Sequence, residues 1–131
     1  MKKIILTFTL MLPIACLLAQ PAPAQADTLR KQALNVYMEA NDYIRREIPF
    51  VNYVRDIKDA GVYIITTFQR TGSGGMEYTY FLTGQNEFKG MSDTLSFVTK
   101  PDGTTDERRA QEVATLKLGL MRYIAKTPLA Q

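Results

Sequence analysis

Val62-Tyr-Ile-Ile-Thr-Thr-Phe-Gln-Arg70, Thr71-Gly-Ser-Gly-Gly75 and Glu77-Tyr-Thr-Tyr-Phe-Leu-Thr83 read as a strand, a turn and a returning strand. β-Branched and aromatic residues crowd both arms, as they do where side chains fit a pleated surface. Glycine supplies the backbone angles that close a hairpin. On the return arm Tyr78, Tyr80 and Leu82 point one way, and Thr79, Phe81 and Thr83 the other, because strand side chains alternate.

Elements of both kinds flank this hairpin. Upstream, residues 34–38 alternate crudely and predict a first strand. Asn41 or Asp42 then offers an N-cap. Ile44, Ile48, Val51 and Val54 follow at spacings of three and four, which predicts a helix with one apolar face. Pro49 interrupts it, predicting a kink, or a short helical turn to Ile48 and a second helix with Pro49 in its first turn. Downstream, residues 93–99 predict another strand, with Leu95 and Phe97 on one face. Thr104 and Glu107 have capping-box spacing, and a helix over 106–126 follows. Ala110, Val113, Leu116 or Lys117, Leu120 and Ile124 mark its buried stripe, and Pro128 stops it. The order β-α-β-β-β-α predicts an α+β fold: an antiparallel-rich sheet with two helices packed on one face. The opposite face would carry Thr and Tyr.

The N-terminus is built differently. Lys2 and Lys3 precede an apolar run from Ile4 to Leu18, and Ala24-Gln25-Ala26 follows. A positive start, an apolar middle and small residues at a cleavage site make a secretory signal peptide, so residues 1–26 are expected to be removed on export to the periplasm. A lipid-anchored form through Cys16 competes less well, because Pro13 stands where a lipoprotein pattern has Leu. Residues 27–131 are then a single domain. Losing Lys2 and Lys3 leaves 14 basic residues against 13 acidic. A near-neutral balance speaks against nucleic-acid binding, which shows a basic face. Cys16 is the only cysteine, so the exported domain has no disulfide partner and must hold by its core.

The chain contains no His and no Trp. That removes the commonest general base and the commonest metal ligand. Residues 71–75 lack the Gly-Lys-Ser/Thr ending and following helix of a phosphate loop. Ser73 would need a lysine as its base, since a hydroxyl is a weak nucleophile alone. Residues 102–106 offer too few oxygen ligands for calcium. No catalytic residue, metal or cofactor is expected. Candidate contact residues are Tyr43, Arg45, Arg46, Tyr53 and Arg55 along the first helical segment, and Gly72, Ser73, Gly74 and Gly75 at the hairpin tip. The neighbouring acids Asp42, Glu47, Asp56 and Asp59 favour intrahelical pairing of those arginines.

Asp42-Tyr-Ile-Arg-Arg-Glu-Ile-Pro-Phe-Val-Asn-Tyr-Val-Arg-Asp56, Ala60-Gly-Val-Tyr-Ile-Ile-Thr-Thr67, the 71–75 turn and Lys117-Leu-Gly-Leu-Met-Arg-Tyr123 together resemble a family of uncharacterised envelope proteins of Bacteroidetes-type bacteria. In that family such a domain precedes a segment that looks like an outer-membrane β-barrel. The resemblance brings no catalytic residues. It implies a periplasmic binding or assembly module whose partner is an envelope protein or outer-membrane component. The alternatives are a plug or accessory domain of a barrel, and an enzyme using Ser/Lys or carboxylates.

Overall fold

A computed structural model describes Thr28 and residues 30–130. The expected signal peptide, its cleavage site and Cys16 lie outside the described residues. The fold is α+β. Strands β1 (Leu34–Tyr37), β2 (Val51–Tyr53), β3 (Val62–Arg70), β4 (Met76–Gly84) and β5 (Ser92–Val98) form one sheet in the order β2-β1-β3-β4-β5. β1 runs parallel to both β2 and β3, while β3, β4 and β5 form an antiparallel meander. The sheet is therefore mixed. Helix α1 (Asp42–Glu47) connects β1 to β2, and helix α2 (Thr105–Ile124) follows β5.

The quoted hairpin forms as expected, with nine consecutive pairs from Val62↔Gly84 to Arg70↔Met76. Gly74 closes its turn with φ +88°, a conformation that a side chain resists. Tyr78, Tyr80 and Leu82 face the helices, with Phe97, Leu95 and Asp93 as their cross-strand neighbours on β5. Tyr78 stacks on Phe97 at 5.1 Å between ring centroids. Asn35, Tyr37, Tyr63, Ile65, Thr67, Thr79, Phe81, Thr83 and Thr94 occupy the opposite face, as the alternation and the strand register require.

The first helical segment is where structure and sequence pattern part. Asn41 caps α1, its side chain accepting from the Ile44 N–H at 2.9 Å. The helix then stops at Glu47. Ile48 precedes a proline, and the ring of Pro49 pushes its predecessor out of the helical region; Ile48 has φ −124° and ψ 67°. Val51 is buried by a strand instead, opposite Leu34. The three-and-four spacing of Ile44, Ile48 and Val51 thus spans a helix, a turn and a strand that share one core. A kinked or restarted helix is incorrect, and the sheet gains a fifth strand.

Helix α2 has the expected capping box. Glu107 N–H donates to the Thr104 hydroxyl, and Thr104 N–H donates to the Glu107 carboxylate. Its buried residues are Val113, Leu116, Gly119, Leu120 and Tyr123. Ala110 is exposed, which corrects the predicted stripe by one turn. Gly119 lets the helix settle onto the sheet: a Cβ there would meet Leu82 and Leu95, each at 2.9 Å. Together with Ile44, Ile48, Val36, Val62, Ile64, Tyr80 and Phe88 these residues make one core.

Two core tyrosines carry polar tips. Tyr80 donates to Glu112 at 3.1 Å, and Glu112 also pairs with Arg108 at 3.5 Å. The Tyr123 hydroxyl lies 3.5 Å from the Leu82 carbonyl oxygen. Burial raises both pKa values; Tyr123, with the Asp93 carboxylate beside it, is pushed up to about 12. A raised folded-state pKa means the fold holds the neutral, protonated form. This stability is complete below the unfolded tyrosine value of about 10 and is lost as pH rises from there. For Tyr123 that loss continues to about 12. Alkaline titration of the circular dichroism signal should therefore show unfolding in that window, and Tyr123→Phe should make the decline shallower. An equally steep decline in the variant would remove Tyr123 as a cause.

Candidate functional site

The expected contact residues fall into two groups. No hydrogen bond, ion pair or ring contact joins them among the described residues.

The hairpin tip is held by hydrogen bonds to Thr71. Gly74 N–H donates to the Thr71 carbonyl oxygen, and Gly75 N–H donates to the Thr71 hydroxyl, each at 3.0 Å. Two of the tip's amides are thus already engaged within the turn. The Ser73 hydroxyl lies 3.1 Å from that of Thr71, and among the described residues no lysine is hydrogen-bonded to it. Gly75 is buried against the end of β5, where any Cβ would run into the Thr99 carbonyl oxygen. Gly72 is exposed and has open space around it. The tip is a tight turn in which Gly74 and Gly75 serve geometry.

The α1–β2 group is arranged around two tyrosines. The Arg45 guanidinium lies over the Tyr53 ring at 4.6 Å from its centroid, and its Nε donates to the Ala40 carbonyl oxygen at 3.1 Å. The Tyr53 hydroxyl donates to the Ile48 carbonyl oxygen at 3.0 Å. This bond satisfies a carbonyl left over at the end of α1, and it fixes the ring beneath Arg45. Burial raises the Tyr53 pKa and the neighbouring Arg45 charge lowers it, with burial prevailing. Tyr43 sits between Arg46 at 5.4 Å and Arg109 at 5.7 Å. Arg55 is exposed in the loop after β2.

Intrahelical pairing accounts for only one of these arginines. Arg46 meets Glu47 at 3.9 Å, an exposed pair worth little. Among the described residues Arg45 meets no carboxylate. It instead borders a cleft of about 630 Å³ lined by Arg30, Ala33, Arg45, Pro49, Phe50, Val51, Asn52, Tyr53 and Leu129. Among the described residues this lining holds two cations and no anion. Phe50, Pro49 and Leu129 supply an apolar wall, and Asn52, bonded to the Arg30 carbonyl oxygen, supplies an amide. Such a concave surface, an apolar wall facing a few fixed polar groups, is the kind of place a ligand binds.

Sequence reasoning found Arg45 and Tyr53 but not their companions. Arg30 precedes the first predicted strand and belongs to no motif, and Phe50, next to Pro49, is 37% exposed. Arg109 comes from the other helix, and no local pattern connects it to Tyr43. The spacing from Arg45 to Tyr53 was the one usable signal, and it needed the strand at 51–53 to be understood. Among the described residues no group of three or more His, Cys, Asp or Glu side chains can hold a metal ion.

The chain matches no protein-family model, no curated protein and no solved structure.

Proposed function

We propose that this chain is a non-catalytic binding module of the bacterial cell envelope, recognising an acidic segment of a partner protein through the Arg30–Arg45 cleft. The carrying observation is an arginine held in place with no counter-ion among the described residues. Arg45 rests on Tyr53, and Tyr53 is itself tied to the end of α1, so little side-chain freedom is left to lose on binding. Arg30 lies across the same cleft. Two guanidinium groups beside an apolar wall suit carboxylates carried on a chain with apolar neighbours, because a guanidinium fork matches a carboxylate. Export and the envelope setting rest on the leader pattern and the family resemblance.

The test is capture from envelope extract by the tagged chain, read by mass spectrometry. Wild type should recover one envelope partner at stoichiometric level, and recovery should fall as salt screens the charges. Arg30→Glu/Arg45→Glu should reduce capture at least about tenfold, because reversing charge at an interface both removes attraction and adds repulsion. The melting temperature should stay within a few degrees of wild type, since neither side chain is buried. Tyr53 is left intact because its hydroxyl has a structural role. Undiminished capture by the double variant would overturn the site.

A further inference from the structure

The free edge of β3 is built to receive another strand. Among the described residues, β1 covers β3 only at Val62 and Tyr63, and beyond Tyr63 no strand lies on that side. The bond from Thr71 N–H to the Gly75 carbonyl oxygen sets the phase of the hairpin ladder. With that phase, the odd-numbered residues of β3 exchange hydrogen bonds with β4, since such pairs alternate along an antiparallel ladder. Thr66, Phe68 and Arg70 therefore direct their N–H and C=O groups outward.

Proteins normally blunt an open edge with charge, proline, a bulge or shortness. The other two edges of this sheet follow that rule. β2 has three residues. β5 carries an inward-pointing carboxylate, Asp93, paired with Arg122 at 2.6 Å. β3 has one of these devices alone, the charge of Arg70 at its far end. It is nine residues long, continuous in register, and without charge or proline from Val62 to Gln69. It also exposes apolar side chains on both faces, Ile65 at 54% and Phe68 at 69%.

We propose that this edge pairs with the same edge of a second copy, antiparallel and about a two-fold axis, with Phe68 facing the second copy's Phe68. A two-fold contact requires a self-complementary patch, and this strand meets that condition. Thr66 then lies opposite the second copy's Arg70, so the two arginines are at opposite ends and do not face each other. Ile64 lies opposite the second copy's Gly72. The second copy's turn therefore ends where β1 begins to cover the edge, and β1 acts as the stop that sets the register. Two five-stranded sheets become one. The Arg30–Arg45 cleft does not include this edge, so the inference is independent of the proposed function.

Sedimentation velocity on the full chain over a dilution series up to about 1 mM, the weak end of measurable association, tests this. The expected result is a monomer–dimer equilibrium. Thr66→Pro removes only an outward N–H, which an edge strand tolerates. Phe68→Lys places two charges face to face across the axis. Each should weaken the dimer at least about tenfold, as loss of a ladder bond or introduction of like charges does at a central contact. Circular dichroism should remain that of the wild type. In a Cys16→Ser background, Phe68→Cys should oxidise to a cross-linked dimer, because facing residues of a hydrogen-bonded pair have Cα atoms about 5.5 Å apart, within disulfide reach. A chain that stays monomeric throughout the series would overturn the proposal. So would a dimer that both variants, folded, retain at full strength.

Discussion

Leu116→Ala should lower the melting temperature by on the order of 15 °C, while Leu118→Ala, two residues on, should leave it almost unchanged. Leu116 is fully buried at the centre of α2, where it belongs to the core cluster with Tyr80, Leu82 and Ile64. Truncating a buried leucine costs about 2–5 kcal/mol, from lost transfer energy and from the cavity left behind. A domain of this size has a total stability of about 5–15 kcal/mol. Each kcal/mol moves its melting point by about 4–8 °C. Leu118 lies on the outer side of the same helix and is 68% exposed, so its truncation removes few contacts. Thermal melts followed at 222 nm compare the two. Equal shifts would mean that α2 does not present the 113–116–120–123 face to the sheet.

That contrast also shows how far a local pattern carries. The α+β class, the hairpin and the capping box were legible because each depends on neighbours in sequence. β-Branched density marks β3, glycine marks its turn, and Thr104 with Glu107 marks the start of α2. The burial of Leu116 against the exposure of Leu118 follows from helical period alone. The 42–53 segment was misread because a helical spacing of apolar residues also arises when a short helix and a short strand feed one core. Only the parallel pairing of Val51 with Leu34 distinguishes the two readings, and that is a tertiary fact. The same holds at the candidate site. Arg45 and Tyr53 come from one stretch, but Arg30, Leu129 and Arg109 arrive from other parts of the chain, through a sheet order in which β1 separates β2 from β3.

Gly84→Ala should cost about as much as a poorly tolerated core enlargement, about 1–3 kcal/mol and some 10 °C of melting temperature. Gly84 ends β4 and carries no positive φ; its importance comes from what lies beside it. A methyl group on Gly84 would run into the carbonyl oxygen of Phe88 and lie 2.8 Å from its Cβ. That carbonyl belongs to the turn that folds Phe88 back into the core, where its ring meets Tyr123 edge-on at 5.8 Å. The turn is held from several sides. Gly84 N–H donates to the Met91 carbonyl oxygen at 2.8 Å, and Gln85 N–H donates to that of Gly61 at 2.7 Å. The side chain of Asn86, whose φ is 50°, donates to the Ala60 carbonyl oxygen at 3.1 Å. Backbone is less able to move aside than a side chain, so the added methyl has to lift the turn, and Phe88 with it. Gly72→Ala is the matched control: nothing lies within 4 Å of its Cβ, and a side chain that only restricts the unfolded chain is neutral or slightly stabilising. Thermal melts with near-ultraviolet circular dichroism measure both quantities at once. Loss of the aromatic signal in Gly84→Ala but not in Gly72→Ala would locate the damage at Phe88 and Tyr123. An unchanged melting point in Gly84→Ala would mean that this turn does not close against the end of β4.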